Sequence, residues 1–155
     1  MDILNSGTLI IGTATNNNAP AGYVGEFISS TIAVGGAINL TTGVAANITS
    51  ITLTAGDWKI AGAIDFHPGA TTTTTGLQGG MSLTSATMGA QDSGFALPFA
   101  IATTAIDPSE PLAVSRLLLA VTTTVFLVAV GTCTGPAVRA HRSTSTAGRL
   151  LAFSS

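Results

Sequence analysis

The residues of this chain that could perform catalysis are few and poorly spaced. Asp92-Ser93-Gly94, with His67 upstream, supplies the residue types of a serine nucleophile and its partners. Gln91 stands where a glycine is expected before the acid, and His67 has no recognisable catalytic context, so we interpret the phrase as a polar loop. The sequence contains no nucleophile-elbow, zinc-protease, phosphate-loop or dinucleotide-binding motif. We therefore expect a protein that is not an enzyme.

Metal and cofactor sites are not predicted either. His67 and His141 are far apart in the sequence and no third ligand is indicated, whereas a zinc site needs three or four. Asp57 follows Ala55-Gly56 in a turn-type phrase, and we interpret it as a turn residue that accepts backbone hydrogen bonds. Cys133 is the single cysteine, and we expect it to be a small buried apolar group. No cofactor is predicted.

Composition limits the function further. The chain has 155 residues, of which 46% are hydrophobic and only 8% charged, with a formal net charge of −2. Soluble domains usually contain about 25% charged residues. Nucleic-acid binding needs clustered basic side chains, and Lys59 is the only lysine, so we expect no nucleic-acid partner. An apolar chain with so few charges either enters a membrane or buries its faces against copies of itself.

The membrane interpretation fails on residue types. Leu117–Val138 is long enough to span a bilayer as a helix, but it contains Thr122–Thr124, Gly131 and Pro136. Threonines favour strands, and glycine and proline interrupt helices. The segment is better interpreted as two strands that form a hairpin-like pair joined at the threonines. We expect no membrane insertion, and self-association becomes the preferred explanation.

Strand signals run through most of the chain. Trp58–Phe66 has the clearest alternation, with Trp58, Ile60, Ile64 and Phe66 on one side of the strand. No stretch has helical periodicity with caps. The other predicted strands are Tyr23–Val34, Ile38–Thr42, Asn47–Thr54, Thr75–Ser85, Phe99–Ala105, Arg116–Val121 and Val125–Thr132. This pattern predicts an all-β sandwich or jelly roll, and the charge-poor surface predicts self-association.

The chain is predicted to have two parts. Residues 1–18 form an extended N-terminal arm that ends in the turn-type phrase Asn16–Pro20, and residues 19–155 form the jelly-roll domain. The arm is too short to be a domain, so we interpret it as an attachment segment. Its apolar side chains would make the contacts: Ile3, Leu4, Leu9, Ile10 and Ile11.

Three phrases of the sequence resemble a known module. They are Ala19–Ser30 (APAGYVGEFISS), Leu53–Trp58 (LTAGDW) and Thr122–Ala129 (TTTVFLVA). Together they resemble a module of tailed-bacteriophage virion proteins, of the tail-fibre head or head-decoration type, and the resemblance extends from about Ala19 to Arg142. The resemblance implies a jelly-roll β-sandwich of two sheets that assembles as a homotrimer, similar to tumour necrosis factor and to the globular heads of complement collagens.

Two groups of residues are candidates for contacts. The first contains core or subunit-interface candidates: Tyr23, Phe27, Trp58, Phe66, Leu117, Leu119, Phe126 and Val128. The second lies in the loop Gly89–Pro98 and would contact a ligand or pack on a neighbouring subunit: Gln91, Asp92, Ser93 and Phe95. For Glu26, which lies between apolar neighbours, pairing with an arginine at a subunit contact and simple exposure both stay open.

The sequence thus predicts a non-enzymatic phage virion structural protein. We expect it on the virion surface, assembled in the host cytoplasm, as a capsid decoration or head-fibre homotrimer. Its partners would be itself and the major capsid protein or another virion protein. A tail-fibre tip that recognises a host-surface glycan or protein receptor is the first alternative. A secreted carbohydrate-binding β-sandwich is the second.

Overall fold

The computed structural model describes residues 18–88, 94–97, 101–102, 108–136, 138–141 and 145–149. These residues form thirteen strands and one short 3₁₀ turn, Val34–Gly36. The strands are β1 (Phe27–Ser30), β2 (Ile38–Leu40), β3 (Ala46–Leu53), β4 (Gly56–Ala61), β5 (Ala63–His67), β6 (Thr73–Ser82), β7 (Gly94–Leu97), β8 (Ile101–Ala102), β9 (Ser109–Pro111), β10 (Ser115–Leu119), β11 (Thr123–Thr134), β12 (Val138–His141) and β13 (Ser145–Arg149). The prediction of an all-β chain is confirmed.

The strands pair as one long antiparallel ribbon. β1 pairs with β13, β2 with β12, β3 with β11, β4 with β10 and β5 with β9. β6 pairs with both β7 and β8, so the ribbon closes on itself between β6 and β7. Each strand of the first half is therefore matched by a strand of the second half in reverse order. A ribbon of nested pairs of this kind is the starting point of a jelly roll.

The ribbon winds so that each of its first three strand pairs lies beside the strand pair that comes three places later in the ribbon. Further antiparallel contacts join β13 to β4, β12 to β5 and β11 to β6. They produce sheet A (β1-β13-β4-β10), sheet B (β2-β12-β5-β9) and sheet C (β3-β11-β6-β7, with β8 also on β6). The predicted jelly-roll fold is confirmed. The described strands share three hydrogen-bonded sheets, where the sequence predicted two.

Gly62 separates two of these sheets. The alternating segment Trp58–Phe66, predicted as one strand, divides there into β4 in sheet A and β5 in sheet B. A Cβ atom on Gly62 would lie 3.3 Å from methyl carbons of Leu112 and Leu127. A glycine therefore fits at the point where the chain passes from sheet A to sheet B, because the core leaves little space for a side chain there. The alternation survives the division, because the inward side chains before and after Gly62 are all buried.

Two further predicted elements differ from the structure. Tyr23–Val34 contains a strand only at Phe27–Ser30, because Pro20 to Glu26 form consecutive turns closed by backbone hydrogen bonds. The predicted hairpin of β10 and β11 does not form. β10 pairs with β4 in sheet A, whereas β11 pairs with β3 and β6 in sheet C. Thr122 lies in the connection from sheet A to sheet C instead of in a hairpin turn, and Thr123 and Thr124 belong to β11.

A single apolar cluster holds the three sheets together. Trp58 and Phe66 are fully buried in it, and the indole nitrogen of Trp58 donates a hydrogen bond of 2.9 Å to the carbonyl oxygen of Thr54. The polar end of the ring is therefore satisfied inside the protein. Other members of the cluster, from all three sheets, include Leu40, Ile51, Leu53, Ile60, Ile64, Leu77, Leu127, Val138 and Ala147. Cys133 is the single cysteine of the sequence, so packing without an internal disulfide stabilises the fold.

Candidate functional site: the outer face and edges of sheet A

One register row crosses sheet A from edge to edge. It aligns Phe27 of β1, Gly148 of β13, Lys59 of β4 and Arg116 of β10. Successive side chains of a strand point to opposite faces, so this row belongs to the face opposite the buried Trp58. Phe27, Lys59 and Arg116 are all exposed. The outer face of sheet A therefore combines an aromatic ring with two cationic side chains.

Arg116 is held by a carboxylate on the neighbouring strand. The register places Asp57 opposite Leu118, one step diagonally from Arg116. The guanidinium donates from Nε to Oδ1 of Asp57 at 2.9 Å and from Nη2 to Oδ2 at 2.5 Å. This two-pronged geometry matches a planar guanidinium to a carboxylate and fixes β10 against β4. The side chain of Asp57 is 7% exposed and that of Arg116 is 65% exposed.

The ion pair favours the charged form of both Asp57 and Arg116. The hydrogen bond from Arg116 holds the pKa of Asp57 below its ordinary value, although partial burial opposes the shift. The same bond raises the pKa of Arg116. Asp57 was predicted to be a turn residue, and that prediction is wrong. It lies inside β4 and its carboxylate is used by an arginine 59 positions away.

Apolar side chains follow both edges of sheet A. Beside β10, Val114, Leu118 and Val121 are exposed, and Leu118 reaches 73%. Beside β1, Tyr23, Val24 and Phe27 are exposed, and Tyr23 reaches 66%. Isolated exposed hydrophobic residues are normal on proteins, but two groups of three at opposite edges of one sheet indicate contact surfaces. These groups are called here the β10 cluster and the β1 cluster.

Glu26 supports the backbone just before β1. Its carboxylate accepts a hydrogen bond of 2.7 Å from the amide of Gly22, which has a positive φ of 89°. The side chain is 7% exposed, so the interpretation of Glu26 as a simply exposed residue is wrong. The carboxylate stabilises the turn that presents Tyr23 and Val24 to solvent.

The structure divides the predicted contact residues into three groups. Trp58, Phe66, Leu119 and Val128 are buried, and Leu117 and Phe126 are half-buried. Tyr23 and Phe27 are exposed in the β1 cluster. Ile3, Leu4, Leu9, Ile10 and Ile11 of the predicted arm, and Gln91, Asp92 and Ser93 of the predicted ligand loop, lie outside the described residues. Phe95 was predicted to lie in the loop, but it belongs to the strand β7, so the loop prediction is wrong at this position.

Sheet B brings together two histidines that the sequence separates by 74 positions. The rings of His67 on β5 and His141 on β12 are stacked, with centroids 4.6 Å apart and planes inclined by 22°. The register explains the contact, because His67 lies opposite Arg139 and His141 opposite Asp65, which makes the histidines diagonal neighbours. No local pattern in the sequence signals this pair, since it depends on a strand pairing between distant segments.

Other chemical groups are sparse in the described part of the chain. Within it, no group of three or more histidine, cysteine, aspartate or glutamate side chains could hold a metal ion. Cys133 is half-buried against the core, with its sulfur 3.2 Å from the hydroxyl of Thr42. None of the described segments forms a helix with the length and apolar character needed to traverse a bilayer. The edges and outer face of sheet A are thus the strongest candidate for function.

Comparison with known proteins supports the fold class. No protein-family profile and no curated protein sequence matches the chain. Among solved structures, a crystal structure of the VP2 subviral particle of infectious bursal disease virus matches 80% of the chain with a TM-score of 0.53 and 17% identity. A structure of the Gx strain of the same virus matches 92% of the chain with a TM-score of 0.51 and 15% identity. The chain spans 32% and 38% of those proteins. It therefore shares a jelly-roll β-sandwich fold with these virus proteins.

Proposed function

We propose that this chain is a non-enzymatic structural protein of a phage virion, displayed on the particle surface as a capsid decoration or head-fibre homotrimer. Residues 19–155 form the displayed domain, and residues 1–18 attach it to the major capsid protein or another virion protein. The observation that carries the proposal is the structural likeness to viral particle proteins over 80% of the chain. The phrases Ala19–Ser30, Leu53–Trp58 and Thr122–Ala129, which resemble tailed-phage virion modules, support the phage assignment.

The surface chemistry supports a protein that works by association. Only 8% of the residues are charged, and the β1 and β10 clusters expose apolar side chains at two edges of one sheet. Burying such surface against copies of the chain removes it from water, at about 25 cal/mol per Å² of apolar area. Symmetric assembly also covers strand edges that would otherwise template aggregation.

The copy number in the particle tests this function. Virions of the virus that encodes the chain are purified, and the chain is quantified by mass spectrometry against the major capsid protein. A number on the scale of the capsid lattice is expected for a decoration or head fibre. A handful of copies per particle would contradict it and favour a tail-fibre tip.

Attachment through the arm is tested in the full-length chain. The double substitution Leu9→Asp and Ile11→Asp should abolish binding to particles that lack the protein, because it places charges in the apolar run of the arm. Val34→Asp, at an exposed hydrophobic position away from the arm, is the matched control and should bind normally. Unchanged binding of the double variant would show that attachment uses another part of the chain.

A further inference from the structure

Most of the exposed large apolar side chains among the described residues lie beside the two edge strands of one sheet. The described residues include nine exposed large hydrophobics. Six of them are the β1 and β10 clusters: Tyr23, Val24, Phe27, Val114, Leu118 and Val121. The other three, Val34, Val44 and Leu83, belong to the segments that follow β1, β2 and β6. In the described sheets, β1 and β10 are the two edge strands of sheet A. Both edges of sheet A therefore carry apolar surface suited to association.

Neither edge strand contains the residue types that keep strand edges apart. Soluble proteins protect such edges with charges, especially lysine, or with proline. β1, Phe27–Ser30, contains no charged residue and no proline. The only charge on β10 is Arg116, which Asp57 already neutralises. The edge strand β9 of sheet B differs, because its three residues include a glutamate and a proline.

Strand direction decides how two copies could meet. All neighbouring strands of sheet A are antiparallel, and four strands alternate in direction, so β1 and β10 run in opposite directions. If a second copy continues the sheet in the same orientation, its β1 lies antiparallel to β10 of the first copy. This is the pairing found between all the described strands of the molecule. A two-fold contact of β10 with β10 would also be antiparallel, but it would leave the β1 cluster exposed on both copies.

We propose that copies of this chain join head to tail through sheet A, with β10 of one copy against β1 of the next. The partner of each edge is a second copy of the same chain. Every contact then covers one β10 cluster and one β1 cluster, and closure leaves neither cluster in solvent. That the ring closes at three copies rests on the proposed homotrimer. The edge-to-edge contact itself is inferred from the strand directions and from the two clusters.

Asn18, the first described residue, contacts the edge strand β1. Its side-chain amide donates a hydrogen bond of 3.0 Å to the carbonyl oxygen of Phe27. The proposed attachment arm, residues 1–18, therefore joins the described domain beside the strand where the next copy is proposed to dock.

Charge substitutions in the full-length chain test the contact. Leu118→Glu and Phe27→Glu should each reduce the mass in solution from that of three chains to that of one, measured by size-exclusion chromatography with light scattering. Val44→Glu and Leu83→Glu place the same charge at comparably exposed positions that follow β2 and β6 and should leave the trimer intact. Fluorescence of the buried Trp58 confirms that each variant is folded.

Cross-linking tests the head-to-tail geometry. In a Cys133→Ser background, Phe27→Cys combined with Leu118→Cys should give covalent species of two and three chains with a short bismaleimide. Each single cysteine variant should remain uncross-linked. Cross-linking of Leu118→Cys alone would establish the two-fold contact and overturn the proposal.

Two further results would overturn the contact without touching the proposed virion role. If the wild-type chain is a monomer at every concentration, the edges do not pair, while the copy number in virions still decides the function. If the wild-type chain is a trimer and both glutamate variants stay trimeric, the subunits meet elsewhere. Loss of particle binding with an unchanged trimer would assign the clusters to another virion protein and would equally overturn the inference.

Discussion

Replacing Gly135 by alanine should destabilise the fold strongly for so small a change. Gly135 lies in the turn between β11 and β12, where the ribbon passes from sheet C to sheet B, and its φ is +102°. A Cβ atom there would lie 2.9 Å from the carbonyl oxygen of Thr71. That oxygen belongs to the backbone, so no side-chain rotation can relieve the contact. Next to it, the Thr72 hydroxyl donates a hydrogen bond of 2.7 Å to the carbonyl oxygen of Pro136, which keeps the two segments together.

The size of the effect follows from three contributions. A positive φ costs a non-glycine residue about 1–2 kcal/mol, and overpacking against a fixed neighbour costs about 1–3 kcal/mol. Alanine also restricts the unfolded chain, which offsets about 0.4–1 kcal/mol of the loss. The free energy of unfolding of Gly135→Ala should therefore fall by about 3 kcal/mol, within a range of about 1–4.6 kcal/mol.

Two other glycines separate the contributions. Gly43 has a φ of +73° but no atom within 4 Å of a Cβ position, so Gly43→Ala carries the backbone cost alone and should lose about 1 kcal/mol. Gly35 has neither a positive φ nor a close neighbour, and Gly35→Ala should keep wild-type stability or gain slightly. Equilibrium urea unfolding, followed by the fluorescence of Trp58, measures all three. If Gly135→Ala loses no more stability than Gly43→Ala, the close approach of the two segments is refuted.

Three further changes test the ion pair and the core. Asp57 has a lowered pKa in the folded protein, so its stabilisation is present above the unfolded value of about 3.9 and is lost as the pH falls through the folded pKa. Urea unfolding between pH 5 and pH 2 should show a steeper loss for the wild type than for Asp57→Asn; parallel profiles would contradict the pair. Trp58→Phe removes the hydrogen bond to Thr54 and some volume and should cost about 1–3 kcal/mol, measured by circular dichroism; no change would contradict its buried position. Leu127→Ala, beside Gly62, should cost about 2–5 kcal/mol in urea unfolding, and a loss below 1 kcal/mol would contradict its full burial.

Local patterns in the sequence predicted what depends on neighbouring residues. The period-two alternation of Trp58–Phe66 identified inward side chains, and both terminal aromatics are fully buried. Strand positions such as Asn47–Thr54 agree closely with β3, Ala46–Leu53. These successes share one cause, since the two faces of a strand lie in different surroundings whatever its partner is. The predicted division into two sheets failed because alternation carries no information on which strands pair.

Pairings between distant segments account for the rest. The sequence indicated neither Asp57 with Arg116 nor His67 with His141, because each pair exists only after the ribbon has wound. Strands that are adjacent in sequence are neighbours in space about two-thirds of the time, which favoured a hairpin around Thr122. The ribbon instead places its pairing partners at opposite ends of the chain. A local interpretation of Asp57 as a turn residue was therefore natural and wrong.

The winding also explains why association through one particular sheet is favoured. Each sheet combines two pairs of the same ribbon, and sheet C also contains β8. The first and last strands of each four-strand path therefore run in opposite directions and permit head-to-tail continuation. Side chains then decide which sheet can use this property. In sheet B, Glu110 and Pro111 obstruct the edge strand β9. In sheet C, the edge strand β3 exposes Ser50 and Thr52, which gain little from leaving water. Sheet A alone among the described sheets has apolar clusters at both edges, so the fold makes continuation possible and the sequence of β1 and β10 selects where it occurs.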